Sequence, residues 1–134
     1  MQNPTTGSLG PLARLTDEEI SQLLRGFDES AIQSASALRS SSSRDDIQTC
    51  LVGILIFYLP SGTPPPETLP TGDTLLRDNL GLDSMSFAEA MFKIEELFDI
   101  LVDNTEIAEL LTVNDACQLL IEKLEAPSLT KPDE

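Results

Sequence analysis

Histidine is absent from the 134 residues. That removes imidazole acid–base chemistry, serine–histidine triads and histidine zinc sites from the chain's own repertoire. Tryptophan is absent too, and aromatic residues make up only 4% of the chain. A core so poor in rings must be built from Leu, Ile, Ala and Met, which favours a small helical core over a β-sandwich. Basic residues are scarce: 8 Lys and Arg stand against 23 Asp and Glu, a formal net charge of -15. Phosphate backbones and anionic membrane surfaces repel such a chain, so nucleic acid is a poor partner and a basic protein surface a good one. The two cysteines, Cys50 and Cys117, each lie in an apolar run. They are expected to be buried free thiols, since a disulfide framework needs more cysteines and an extracellular setting. The longest apolar run, LVGILIFYL at 51–59, falls far short of the roughly 20 residues that span a bilayer. The N-terminus has neither the basic nor the apolar part of a secretory signal. A reduced, cytoplasmic monomer without stable membrane insertion is expected.

What is present is ordered along the chain. Residues 1–15 are rich in Pro, Gly and Thr and read as frayed. Thr16-Asp17-Glu18-Glu19 is a capping-box pattern, and Ile20, Leu23, Leu24 and Phe27 follow at helical spacing. These predict an amphipathic helix over about 17–27, with Ala31 to Leu38 continuing it or adding a second turn or two. Ser40 to Ser43 reads as a flexible linker, making 1–44 an N-terminal extension. The main domain is expected over 45–126, with a polar tail at 127–134. In it, Ile47, Leu51, Ile54, Leu55 and Tyr58 mark one helical face, while Val52, Ile56 and Leu59 make the other side apolar as well. A buried strand competes there, and Gly53 weakens either reading. Helix is preferred because the periodic stretch is about 13 residues, long for a strand. Pro60, Pro64, Pro65, Pro66 and Pro70 then forbid a helix until about residue 72. The loop runs on to Asp83, and loops of that length are usually functional.

A second bundle helix is predicted over 84–98, capped by Asp83 or Ser84, with Met85, Ala88, Met91, Phe92, Ile94 and Phe98 as its apolar stripe. A short helix from Asn104 or Thr105 to about Leu110 follows. Thr112-Val113-Asn114-Asp115 then opens a fourth, carrying Ala116, Leu119, Leu120, Ile121 and Leu124, and ending at Pro127. The expected fold is all-α: a four-helix bundle with a long first loop, plus an extension containing an amphipathic helix. A bundle helix normally keeps a polar face, yet 50–59 is apolar nearly all round. The 17–38 segment is therefore expected to pack across the outside of that helix through Ile20, Leu23, Leu24 and Phe27. The alternatives are a docking element for a partner and a disordered extension.

The chemistry concentrates in Leu80-Gly81-Leu82-Asp83-Ser84-Met85. A serine at a helix start, after a long loop, sits where backbone N–H groups and the macrodipole favour a phosphate. No histidine can activate it, and the segment is not Gly-x-Ser-x-Gly, so covalent phosphoryl attachment suits it better than hydrolysis. The plain alternative is an N-cap, a role serine fills well.

This pattern resembles the acyl carrier proteins, the carrier domains modified by 4′-phosphopantetheine. Their signature is Leu-Gly-x-Asp-Ser followed by an aliphatic residue, at the head of the second of four helices. Leu76 and Leu80 stand at the family's apolar positions eight and four before the serine. Ala88, Met91, Phe92, Ile94 and Phe98 fall on its core positions, as do Val102, Leu110, Val113, Ala116 and Leu120. The resemblance covers roughly 45–125. It implies that Ser84, next to Asp83, carries the arm, installed from coenzyme A by a Mg²⁺-dependent phosphopantetheinyl transferase. The arm's thiol would hold acyl groups as thioesters, so the chain would be a carrier and not an enzyme. It further implies that the acidic second helix docks on basic patches of acyl-transferring or condensing enzymes in a fatty-acid, specialised lipid or polyketide pathway. Glu89, Glu95 and Glu96 would supply the charge, and Met85 and Phe92 apolar contacts. Lys93 departs from the small or apolar residue common in the family at that position. An aminoacyl or peptidyl carrier of the nonribosomal type shares the serine, and an acidic non-covalent adaptor with a bare Ser84 is the rival from another class. No metal site is expected, because the acids between Asp99 and Glu109 lack calcium-loop spacing.

Overall fold

The computed structural model describes residues 10–60, 62–63 and 70–125. The expectations for residues 1–9, for Pro64, Pro65 and Pro66, and for the tail at 127–134 lie outside the described residues. Among the described residues six helices follow one another: α1 (Asp17–Leu23), α2 (Glu29–Ala37), α3 (Arg44–Phe57), α4 (Ser84–Phe98), α5 (Asn104–Ala108) and α6 (Val113–Glu125). The fold is all-α. Among the described residues extended pairing is limited to one bridge, between Leu75 and Thr112. No helix among them is long and apolar enough to cross a membrane.

The capping box at Thr16 forms as the pattern predicts. Thr16 Oγ1 accepts from the Glu19 N–H at 3.1 Å, and Glu19 Oε1 accepts from the Thr16 N–H at 2.9 Å. The helix it opens stops at Leu23 instead of running to 27. Gly26 adopts φ 88°, a left-handed conformation that breaks the helix. Asp28 then caps α2 by accepting from the Ser30 N–H at 3.0 Å. Of the two readings for Ala31 to Leu38, the separate one holds, as the helix Glu29–Ala37.

The serine run is also more than a linker. Ser43 caps α3, its Oγ accepting from the Asp46 N–H at 3.4 Å. Residues 10–15 are tied down where fraying was expected. Gly10 and Leu12 donate to the carbonyls of Arg39 and Leu38, each at 3.0 Å, and Leu12 is fully buried. A Cβ on Gly10 would lie 2.1 Å from the Leu38 oxygen, so only glycine passes there.

The apolar run at 51–59 is helix to Phe57, not strand. Its second apolar side is covered by α2, which packs along α3. Gly53 permits this approach, because a Cβ there would stand 2.6 Å from the Ala31 Cβ. At the end of α3, Phe27 stacks on Phe57 with ring centroids 3.9 Å apart and meets Tyr58 edge-on at 5.9 Å. Ile20, Leu24 and Phe27 share one hydrophobic cluster with Leu51, Ile54 and Leu55 of α3 and Ile94 and Leu97 of α4, while Leu23 is partly buried against it. The extension is thus packed on the bundle, mainly through α2.

In α4 the buried stripe is Phe87, Ala90, Met91, Ile94, Leu97 and Phe98. Met85, Ala88 and Phe92, read from the sequence as part of the stripe, face solvent. The correction is one of phase. Asp83 begins the helix so that 87, 90, 91, 94 and 98 share the inner face at i, i+3, i+4, i+7 and i+11. The helix ends at Asp99, which takes a left-handed conformation at φ 58°. From the extension, Arg14 donates to the Leu97 carbonyl at 2.6 Å, placing a cation at the negative end of α4.

Candidate modification site and docking face

The second half of the long loop is a built structure. Leu76 donates to the Leu111 carbonyl at 2.9 Å, Val113 to Thr74 at 3.0 Å and Asn114 to Gly72 at 2.8 Å, which pins the loop to the α5–α6 junction. Leu76, Leu80 and Leu82 are buried and anchor the turn in the core. Gly81 closes it at φ 91°, with its N–H donating to the Arg77 carbonyl at 3.0 Å. The Leu-Gly-x of the sequence motif is therefore a pair of apolar anchors around a left-handed glycine. It delivers the next two residues to the head of α4.

Those two divide the work. Asp83 is the N-cap: its Oδ1 accepts from the Ser86 N–H at 2.7 Å, and its carbonyl accepts from the Phe87 N–H at 2.9 Å. The Ser86 N–H bond holds the Asp83 carboxyl below its usual 3.8, so the cap is ionised. With the cap taken by Asp83, the Ser84 hydroxyl is released from that role, and it is exposed in the first turn of α4. The sequence left open which of the two caps; the structure assigns it to Asp83.

The surroundings fit a phosphoryl group on Ser84. Among the described helices, α4 alone has no acidic residue in its first turn, whereas α1, α2, α3, α5 and α6 each carry at least one. The positive end of α4 holds the Asp83 carboxylate at the cap and has no further acid in its first turn to oppose a phosphoryl group on Ser84. Arg77, which the sequence reading passed over, places Nη1 3.4 Å from Ser84 Oγ. Seven residues of separation carry no helical or strand signal for that meeting; the Leu75–Leu80 turn creates it.

Downstream, Met85 and Phe92 are 73% and 68% exposed, one helical face apart by two turns. Glu89 lies between them and is exposed. Glu95 turns away, its Oε2 accepting from the Val102 N–H at 2.7 Å and fixing the chain beyond α4. Glu96 pairs with Lys93 at 3.0 Å, and the same ammonium donates to the Leu23 carbonyl at 3.1 Å. Lys93 therefore ties α1 to α4, which accounts for a cation on this acidic helix.

Residues 62–120 match the family described as the phosphopantetheine attachment site. That segment is similar to the carrier domains of the acyl carrier proteins. Over 48 residues the chain is also 40% identical to the acyl carrier protein of Desulforapulum autotrophicum, covering 36% of this chain and 62% of that protein. The chain thus spans less than two thirds of the length of this curated relative. The carrier domain's cofactor is covalently attached 4′-phosphopantetheine. Such a domain presents its group to other proteins and is not an enzyme.

Proposed function

We propose that the protein is an acyl carrier whose arm is attached at Ser84. The observation that carries this reading is the division of labour at the head of α4. Asp83 takes the cap at 2.7 Å, and the neighbouring hydroxyl stands exposed inside the matched segment. When bound, the arm supplies a terminal thiol on which acyl groups are held as thioesters. Ser84 supplies the oxygen of the linkage, bonding to phosphorus as the pyrophosphate link of coenzyme A breaks and its adenosine bisphosphate leaves. The acyl assignment over an aminoacyl or peptidyl one follows the relative's name. The pathway is of the fatty-acid, specialised lipid or polyketide class.

A phosphopantetheinyl transferase and acyl-transferring or condensing enzymes are the partners in this proposal. Met85, Glu89 and Phe92 form the exposed docking face, while Glu95, engaged at the Val102 N–H, and Glu96, paired with Lys93, contribute little free charge to it. Steering by the Glu89 charge raises on-rates and weakens with salt. A cytoplasmic setting belongs to the proposal as well, since both cysteines are free and a reducing compartment keeps them so.

The test is intact-mass measurement after incubation with coenzyme A, Mg²⁺ and a broad-specificity transferase. One phosphopantetheine should be gained by the parent and none by Ser84→Ala. A maleimide at neutral pH should label only the modified chain. Burial pushes the Cys50 thiol up to about 12 and the Cys117 thiol up to about 11, leaving both unreactive. A parent that gains no mass would support the non-covalent adaptor instead.

A further inference from the structure

The 3.4 Å approach of Arg77 Nη1 to Ser84 Oγ has no structural duty to explain it. Both groups are exposed, and the turn is already held by its own backbone bonds and by Leu76, Leu80 and Leu82. Arg77 takes part in none of the three salt bridges found among the described residues. Other cations have structural partners: Arg14 at the Leu97 carbonyl, Arg39 at the Leu15 carbonyl, Arg44 at Asn114 and Lys93 at the Leu23 carbonyl. Arg77 alone among the described cations donates to Ser84.

A phosphodiester on Ser84 would add a permanent negative charge beside the ionised Asp83, in a chain already at -15. The first turn of α4 offers partial positive charge there, and a guanidinium is the side chain best shaped to pair with phosphate oxygens. A phosphorus bonded to Ser84 Oγ brings its non-bridging oxygens within the compass of the group that already reaches that oxygen. The turn is held by backbone bonds and by three buried leucines, so the backbone that carries the guanidinium is already in place.

We infer that Arg77 is the counter-cation of the phosphodiester on Ser84, a positioning residue that holds the root of the arm against the head of α4. This rests on the reading that Ser84 carries the arm. The consequence is an arm that pivots from a fixed base instead of from a freely turning serine. Salt should loosen that base, because the pair is exposed.

The test uses the full ¹⁵N-labelled chain before and after modification. Intact mass reports modification, the Arg77 guanidinium resonance reports the pair, and the phosphorus line reports mobility at the root of the arm. With mass gained, the Arg77 Nε–H signal should move, and its exchange with water should slow by up to about five-fold, the size of an exposed charge pair. Arg77→Gln should narrow the phosphorus line, and Arg77→Lys should restore part of its width. Mass gained with the Arg77 signal unmoved would overturn the pairing while leaving the carrier reading intact. A parent that gains no mass would overturn both.

Discussion

At the scale of single residues, two adjacent polar side chains have opposite duties. Asp83 is spent on the backbone, and Ser84 keeps an exposed hydroxyl for its proposed modification. Asp83→Ala should therefore lower the melting temperature, because it removes the cap of the longest helix. Ser84→Ala should leave it within about 2 °C, as for an exposed substitution without a structural role. Thermal melts of both variants check this. The cap has a pH signature too. Its folded-state pKa lies below the usual 3.8, so the folded chain binds fewer protons than the unfolded chain near that pH. Its contribution is complete above the unfolded value and fades as pH falls through the folded one. The melting-temperature gap between parent and Asp83→Ala should accordingly close in acid; a gap unchanged well below pH 3.8 would contradict the assignment. The Asp-Ser pair was legible in the sequence, but its division of labour was not. Either side chain caps well, and only the backbone path into α4 decides which one does.

At the scale of elements, α2 and α3 depend on a missing side chain. Gly→Ala in a helix ordinarily stabilises by roughly 1 kcal/mol. In Gly53→Ala the new methyl would stand 2.6 Å from the Ala31 Cβ. Overpacking of that kind costs about 1–3 kcal/mol, enough to reverse the sign. Gly53→Ala should melt lower than the parent, and adding Ala31→Gly should recover part of the loss, a coupling that a double-mutant cycle reads directly. In the sequence the same glycine looked like a weakness in α3, because its reason lies on a helix twenty residues upstream. The α4 stripe shows a similar limit. Phe92 and Phe87 are equally apolar, so hydrophobicity alone could not separate an exposed face from a core. The phase set by the Asp83 cap separates them.

At the scale of the whole molecule, one core joins extension and carrier bundle. Leu12, Ile20 and Leu24 are fully buried, in the cluster that holds Ile54 and Leu97. Leu24→Ala should cost about 2–5 kcal/mol, the range for a buried leucine, and chemical denaturation should show one transition for the full chain. A loss of under about 1 kcal/mol would mean that the extension contributes little to the fold. Arg14 and Lys93 reinforce the joint, Arg14 donating to the Leu97 carbonyl at the end of α4 and Lys93, on α4, to the Leu23 carbonyl at the end of α1. The extension thus braces the helix that displays Ser84 and leaves Met85 and Phe92 uncovered.

Composition and periodicity by themselves determined the helical class and the helix-forming stretches of the bundle, and the Leu-Gly-x-Asp-Ser motif singled out the serine proposed to carry the arm. Those features are local: caps lie within three residues of their partners, and helical faces repeat within a turn or two. The tertiary structure decided which apolar residues are core and which are surface. It also decided how α2 covers α3 and that Arg77 meets Ser84. These depend on the separations the chain adopts when remote segments pack, and no short-range pattern encodes them.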